Sequence, residues 1–89
     1  MEIKIGNLYR IWNASTSAIG FFIAGYKKHN NDDFYHKMVY EIESNDIVLV
    51  IDKVLINLIW NQSQTVYKVL YNNQILLISA EEFIEEILT

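Results

Sequence analysis

The side chains able to do chemistry in this 89-residue chain are few, and they are not spaced for it. Two histidines, His29 and His36, are accompanied by no H-E-x-x-H pattern and no third imidazole. A catalytic zinc site needs three protein ligands, so no metal is expected. Cysteine is absent, which excludes disulfides, thiolate nucleophiles and thiolate-bound zinc. Glu81, Glu82, Glu85 and Glu86 could be imagined as paired carboxylates, but acid catalysis needs a carboxyl kept protonated near the working pH. On a terminal segment they read as a solvated face. Gly20 and Gly25 lack the spacing of a phosphate loop or a dinucleotide turn. The expectation is a protein that is not an enzyme and carries no cofactor.

The aromatic side chains are the residue class with spare capacity. There are twelve, comprising two Trp, six Tyr and four Phe, more than so small a core is expected to enclose. Some of Tyr9, Trp12, Tyr26, Tyr35, Tyr40, Trp60 and Tyr71 should reach the surface. Of these, Tyr9, Trp12, Tyr26, Tyr35 and Trp60 are the candidate binding residues, because Tyr and Trp are favoured at protein interfaces and ligand platforms. The structural alternative is that such rings cap the open ends of a small barrel. For an anionic ligand such as a nucleotide, the candidate cations are Arg10, Lys27, Lys28 and Lys37.

Composition bounds the remaining choices. The chain is 52% hydrophobic and 20% charged, which is the balance of a globular domain, and its length suits one domain spanning residues 1–89. No basic region followed by a long apolar run marks the N-terminus, and the longest apolar run, 47–51, is far short of the ~18 residues that cross a bilayer. A cytoplasmic protein without membrane contact is expected. Five basic against three acidic residues fall within 1–40, and two against eight within 41–89. No basic cluster is denser than Lys27-Lys28, so nucleic acid is not an expected partner. A partner protein with a basic surface suits the acidic half better. Residues with AT-rich codons (Ile, Asn, Lys, Tyr, Phe) number 39, and proline is absent, a composition that suggests an AT-rich genome such as many bacteriophages have.

Positioning these residues falls to a chain of strands. Segment 2–12 alternates, with Leu8, Arg10 and Trp12 on one side and Tyr9 and Ile11 on the other; Gly6-Asn7 is a strand-entry turn or bulge. Segment 18–26 is a strand whose glycines imply bending or a closely passing neighbour, and 27–33 is a solvated loop. Segment 34–42 is a strand with Phe34, His36, Met38, Tyr40 and Ile42 on one face. Segment 47–60 offers a helical stripe (Ile47, Val50, Ile51, Val54, Leu58), but its many β-branched residues favour a strand, bent or broken near Asp52-Lys53. A polar turn covers 61–64.

The tail V-Y-K-V-L-Y-N-N-Q-I-L-L-I-S-A-E-E-F-I-E-E-I-L over 66–88 is the most legible stretch. Asn72-Asn73 suits a two-residue type I′ hairpin, because Asn tolerates positive φ. That turn pairs Leu70 with Ile75, Val69 with Leu76, Lys68 with Leu77 and Tyr67 with Ile78. Tyr67, Val69, Leu76 and Ile78 then face the core, while Val66, Leu70, Ile75 and Leu77 share the other face with Lys68. Ser79 and Glu82 form a capping box for a short helix packed through Phe83, Ile84, Ile87 and Leu88.

This hairpin, with Ile78 ending its strand and Phe83 as a buried anchor, resembles the closing strands and terminal turn of SH3-like barrels, bacterial SH3 domains in particular; small uncharacterised bacteriophage proteins end similarly. The opening I-K-I-G-N-L-Y-R-I is similar to their first strand. The resemblance implies a mainly β fold: a small SH3-like barrel, or a strongly bent antiparallel sheet of five to six strands, with a short C-terminal helix. Asn73 stands where glycine is usual, Leu76-Leu77 where the bacterial domains have Gly and an aromatic, and no A-L-Y-D-Y-like segment is present. The resemblance therefore implies fold rather than peptide-groove or cell-wall binding.

Three functions are compatible with these residues. The first is a non-enzymatic protein–protein interaction module, for which a bacteriophage accessory protein acting on a host or phage protein is the natural setting. The second is a homo-oligomer that sequesters a nucleotide or similar small ligand. The third, an acidic mimic of nucleic acid, needs denser carboxylates than a net charge of −4 provides.

Overall fold

The computed structural model describes residues 2–11, 21–28, 34–42, 47–58 and 62–88. Seven strands run in the order β1 (Leu8–Ile11), β2 (Phe21–Lys28), β3 (Phe34–Ile42), β4 (Ile47–Leu58), β5 (Gln62–Tyr71), β6 (Gln74–Ile78) and β7 (Phe83–Ile87), with a 3₁₀ turn at Ala80–Glu82. They form one sheet, ordered β3-β2-β6-β5-β4-β1-β7. Its ladders are antiparallel except for a parallel contact of Phe34 with Asn57 and Tyr35 with Leu58, which links β3 to β4 and closes β2–β6 into a ring of five strands.

The fold is mainly β as expected, with two corrections to its architecture. Among the described residues there are seven strands, beyond the expected five to six, and the C-terminal helix is absent: a 3₁₀ turn at Ala80–Glu82 leads straight into β7. So short a segment forms only a marginal helix, whereas as a strand it completes a ladder with β1, Leu8 opposite Ile87 and Arg10 opposite Glu85. The expected capping box does not form. Ser79 makes no side-chain cap bond, and the Glu82 carboxylate instead accepts the Ala24 N–H at 3.2 Å. Two polar segments expected outside strands also pair. Lys27 and Lys28 extend β2 opposite His36 and Tyr35, and Gln62 and Ser63 extend β5 opposite Leu58 and Asn57. Residues 12–20 and 43–46 lie outside the described residues.

The hairpin has the register read from the sequence, and its turn residues take φ of 46° at Asn72 and 63° at Asn73. Strand β3 has the expected bounds, and segment 47–58 is a strand. At Gly25, an added Cβ would land on the Tyr40 ring and 2.8 Å from the Leu77 carbonyl. The ring of Tyr40 therefore packs on bare backbone, and its hydroxyl donates to the Tyr26 carbonyl at 3.2 Å.

Both faces of the sheet are buried, at different places. One apolar cluster gathers Tyr9, Ile23, Val50, Val69, Ile78 and Phe83 with their neighbours; the Phe83 ring meets those of Tyr9 and Tyr67 edge-on, at centroid distances of 5.3 and 5.6 Å. A second, on the opposite face, contains Tyr26, Ile56 and Val66, with Tyr35, Val54, Leu58 and Leu77 against it. Strand β4 serves both through a bulge: Val50 pairs with Val69 but Asp52 with Lys68, which leaves Ile51 as the extra residue. An extra residue reverses the side-chain alternation relative to the partner strand, so Val48 and Val50 enter the first cluster while Val54 and Ile56 enter the second.

Candidate binding surface

The sequence-predicted site residues do not converge. Tyr9 is fully buried; its hydroxyl accepts the Lys4 N–H at 2.7 Å and donates to the Glu2 carbonyl at 3.3 Å, so it anchors the leading segment instead of facing solvent. Tyr26 is buried in the second cluster, with its hydroxyl donating to Gln64 Oε1 at 2.9 Å. Tyr35 is half-buried in the same cluster. Trp12 and Trp60 lie outside the described residues, as does His29. Tyrosine hydroxyls that find partners let these rings enter a core, so most of the described aromatics are absorbed by folding.

Two surface features emerge instead. The first is a row of aliphatic residues at registered positions across five strands: Ile87 opposite Leu8, Leu8 opposite Leu49, Leu49 opposite Leu70 and Leu70 opposite Ile75. Leu8, Leu49, Leu70 and Ile75 each adjoin a residue of the first cluster in the chain, and Ile87 shares the face of Leu8 through their pairing, so the row looks outward. Leu8, Leu49 and Ile87 are half-buried, while Leu70 and Ile75 are 37% and 53% exposed. Beside it, Ile47 on β4 is also exposed.

The second is a groove of about 400 Å³ lined by Tyr26, Lys27, Lys28, Met38, Tyr40, Lys68, Ile75 and Leu77. Among the described residues the β2–β6 ladder holds only two pairs, Gly25 with Ile78 and Tyr26 with Leu77. The groove lies beside this short seam, with Lys27 and Lys28 on β2 and Lys68 on β5, so two of the four anticipated cations meet there. Arg10 instead pairs with Glu85 at 2.9 Å, and Lys37 lines a separate small recess with Tyr35, His36, Leu58 and Gln62. Burial raises the Tyr40 hydroxyl above its ordinary pKa, which keeps it neutral as a groove wall.

The C-terminal carboxylates are largely committed to structure. Glu85 holds Arg10, Glu86 accepts from the Asn7 side chain, and Glu82 is buried against the Ala24 N–H. Burial raises the Glu82 pKa, the Ala24 hydrogen bond opposes this, and nearby Glu81 adds to it. Among the described residues no group of three His, Asp or Glu is placed to hold a metal, and no helix is long and apolar enough to cross a membrane.

Sequence reasoning missed Lys68, Met38, Ile75 and Leu77 as surface partners. The signal was present in the half-polar face Val66, Lys68, Leu70, Ile75 and Leu77; what joins it to β2, β3, β4 and β1 is long-range pairing that periodicity does not encode. No family model, no curated protein and no solved structure matches the chain.

Proposed function

We propose that this chain is a non-enzymatic protein–protein interaction module that docks a partner on its outward aliphatic row. The observation that carries this reading is the row itself: five aliphatic side chains in unbroken cross-strand register, two of them well exposed, on a face directed away from the first cluster. Contiguous exposed apolar surface of this kind is what soluble domains reserve for partners. Beside Ile87, exposed Glu85 of β7 stands on the same face of the sheet, so the partner suited to it presents an aliphatic face bordered by a basic side chain. A bacteriophage accessory role in a host cytoplasm and an SH3-like ancestry belong to this proposal. The hairpin and the Phe83 anchor support the ancestry, and the codon composition supports the source.

Leu70→Lys and Ile75→Lys place charge on exposed positions and leave both clusters intact. Immobilised wild-type chain should retain a partner from a host lysate that either variant loses, while far-UV circular dichroism stays unchanged. Retention of the same partner by both variants would rule the row out. Sedimentation velocity distinguishes a second copy as the occupant, since a wild-type dimer converted to monomer by Leu70→Lys would make the module self-associating.

A further inference from the structure

The geometry points to the groove beside the β2–β6 seam, which adjoins the aliphatic row at Ile75, as a binding site for a small phosphate-bearing ligand of nucleotide type. The chain holds seven basic and eleven acidic residues, yet among the described residues three lysines and no carboxylate line this groove. A solubility device would intersperse the two signs; a local excess of cations in a net-acidic chain marks a place that concentrates anions. The three ammonium groups come from two separate strands, Lys27 and Lys28 from β2 and Lys68 from β5, and β2 and β5 are held apart by β6. Lys28 shares the face of Tyr26, which pairs with Leu77 as Leu77 does with Lys68, so Lys28 and Lys68 reach the groove from two strands, while Lys27 leaves β2 on its other face.

The identity of the cations narrows the anion. Lysine is a compact charge with three freely rotating donors, and it serves phosphate as a point charge; planar carboxylates are matched by the arginine fork, and no arginine lines the groove. An acidic peptide is thus the poorer occupant. The other walls are Met38, Ile75 and Leu77 with the tyrosines Tyr26 and Tyr40. They supply the apolar and aromatic surface against which a base or similar ring packs. The volume falls within the range of small-molecule sites, roughly 300–1,000 Å³. In this arrangement Lys28 and Lys68 hold the phosphates, with Lys27 at the margin, and the groove wall orients the ring.

Isothermal titration with ATP, inorganic pyrophosphate and a hexaglutamate peptide tests the assignment. ATP should bind saturably and more tightly than pyrophosphate, because only ATP uses the apolar wall. Lys28→Gln and Lys68→Gln should each weaken ATP by about tenfold, the loss of one charge-assisted hydrogen bond, while Lys53→Gln on exposed β4 leaves it unchanged. Unfolding midpoints of the variants establish that they are folded. No binding at millimolar ATP, binding indifferent to both groove variants, or hexaglutamate binding as tightly as ATP would each overturn the assignment. Leu70→Lys, which removes the aliphatic row, should leave ATP binding intact, so failure of the partner surface and failure of the anion site are distinguishable.

Discussion

Glu82 shows how a side chain that looked like catalytic or capping chemistry is consumed by architecture. It is only 6% exposed, and its carboxylate stands in for a strand by accepting the Ala24 N–H beyond the end of the β2–β6 ladder. Because burial raises its pKa above the ordinary 4.5, the folded chain keeps this proton to higher pH than the unfolded chain does. Its contribution to stability is therefore fully present below the unfolded value and declines as pH rises through the folded value. Glu82→Gln retains an acceptor for Ala24 without the charge, so its urea midpoint should lose this decline when compared with wild type at about pH 4 and pH 7. Glu82→Ala leaves the N–H without that acceptor and should cost about 1–3 kcal/mol at either pH. By contrast the surface pair Arg10–Glu85 is worth about 1 kcal/mol or less.

At the scale of elements, the β5–β6 hairpin carries its own instructions. Both turn residues sit at positive φ, which Asn tolerates and β-branched residues do not. Asn73→Val should destabilise by about 1–2 kcal/mol, and Asn73→Gly should be neutral or slightly stabilising, as thermal unfolding would show. Such local rules made the hairpin, β3, and the break in β4 near Asp52 readable from the sequence. They failed for β7, whose segment carries an acidic first turn and an apolar stripe compatible with a helix; the free side of β1 decides otherwise, and that edge lies at the far end of the chain. The candidate site was less legible. Tyr9, Tyr26 and Tyr35 were chosen for ring chemistry, but their partners, the Glu2 carbonyl, Gln64 and the second cluster, come from tertiary structure. Lys27, Lys28 and Lys68 become neighbours only because β6 lies between β2 and β5.

For the whole molecule, the decisive property is that β4, β5 and β6 contribute to both apolar clusters, one on each face. Ile78 in the first and Ile56 in the second are almost fully buried, and Ile→Val at either should cost about 0.5–1.5 kcal/mol. The clusters have no member in common, so the double variant should lose the sum to within about 0.5 kcal/mol. Shared strands should keep denaturant unfolding a single transition, with fluorescence and circular dichroism midpoints coinciding; two separated midpoints would show that the faces fold independently. The bulge at Ile51 has an evolutionary corollary. Upstream and downstream of it, β4 uses residues of the same parity, Val48 and Val50, then Val54 and Ile56, for opposite faces. The strand is in effect read in two frames. Deleting Ile51 would remove the bulge and leave a regular ladder, because Val54 and Ile56 would then fall on the face opposite Val48 and Val50 by simple alternation. Loss of that one residue is therefore a change of length that β4 can absorb with each half still facing its own cluster.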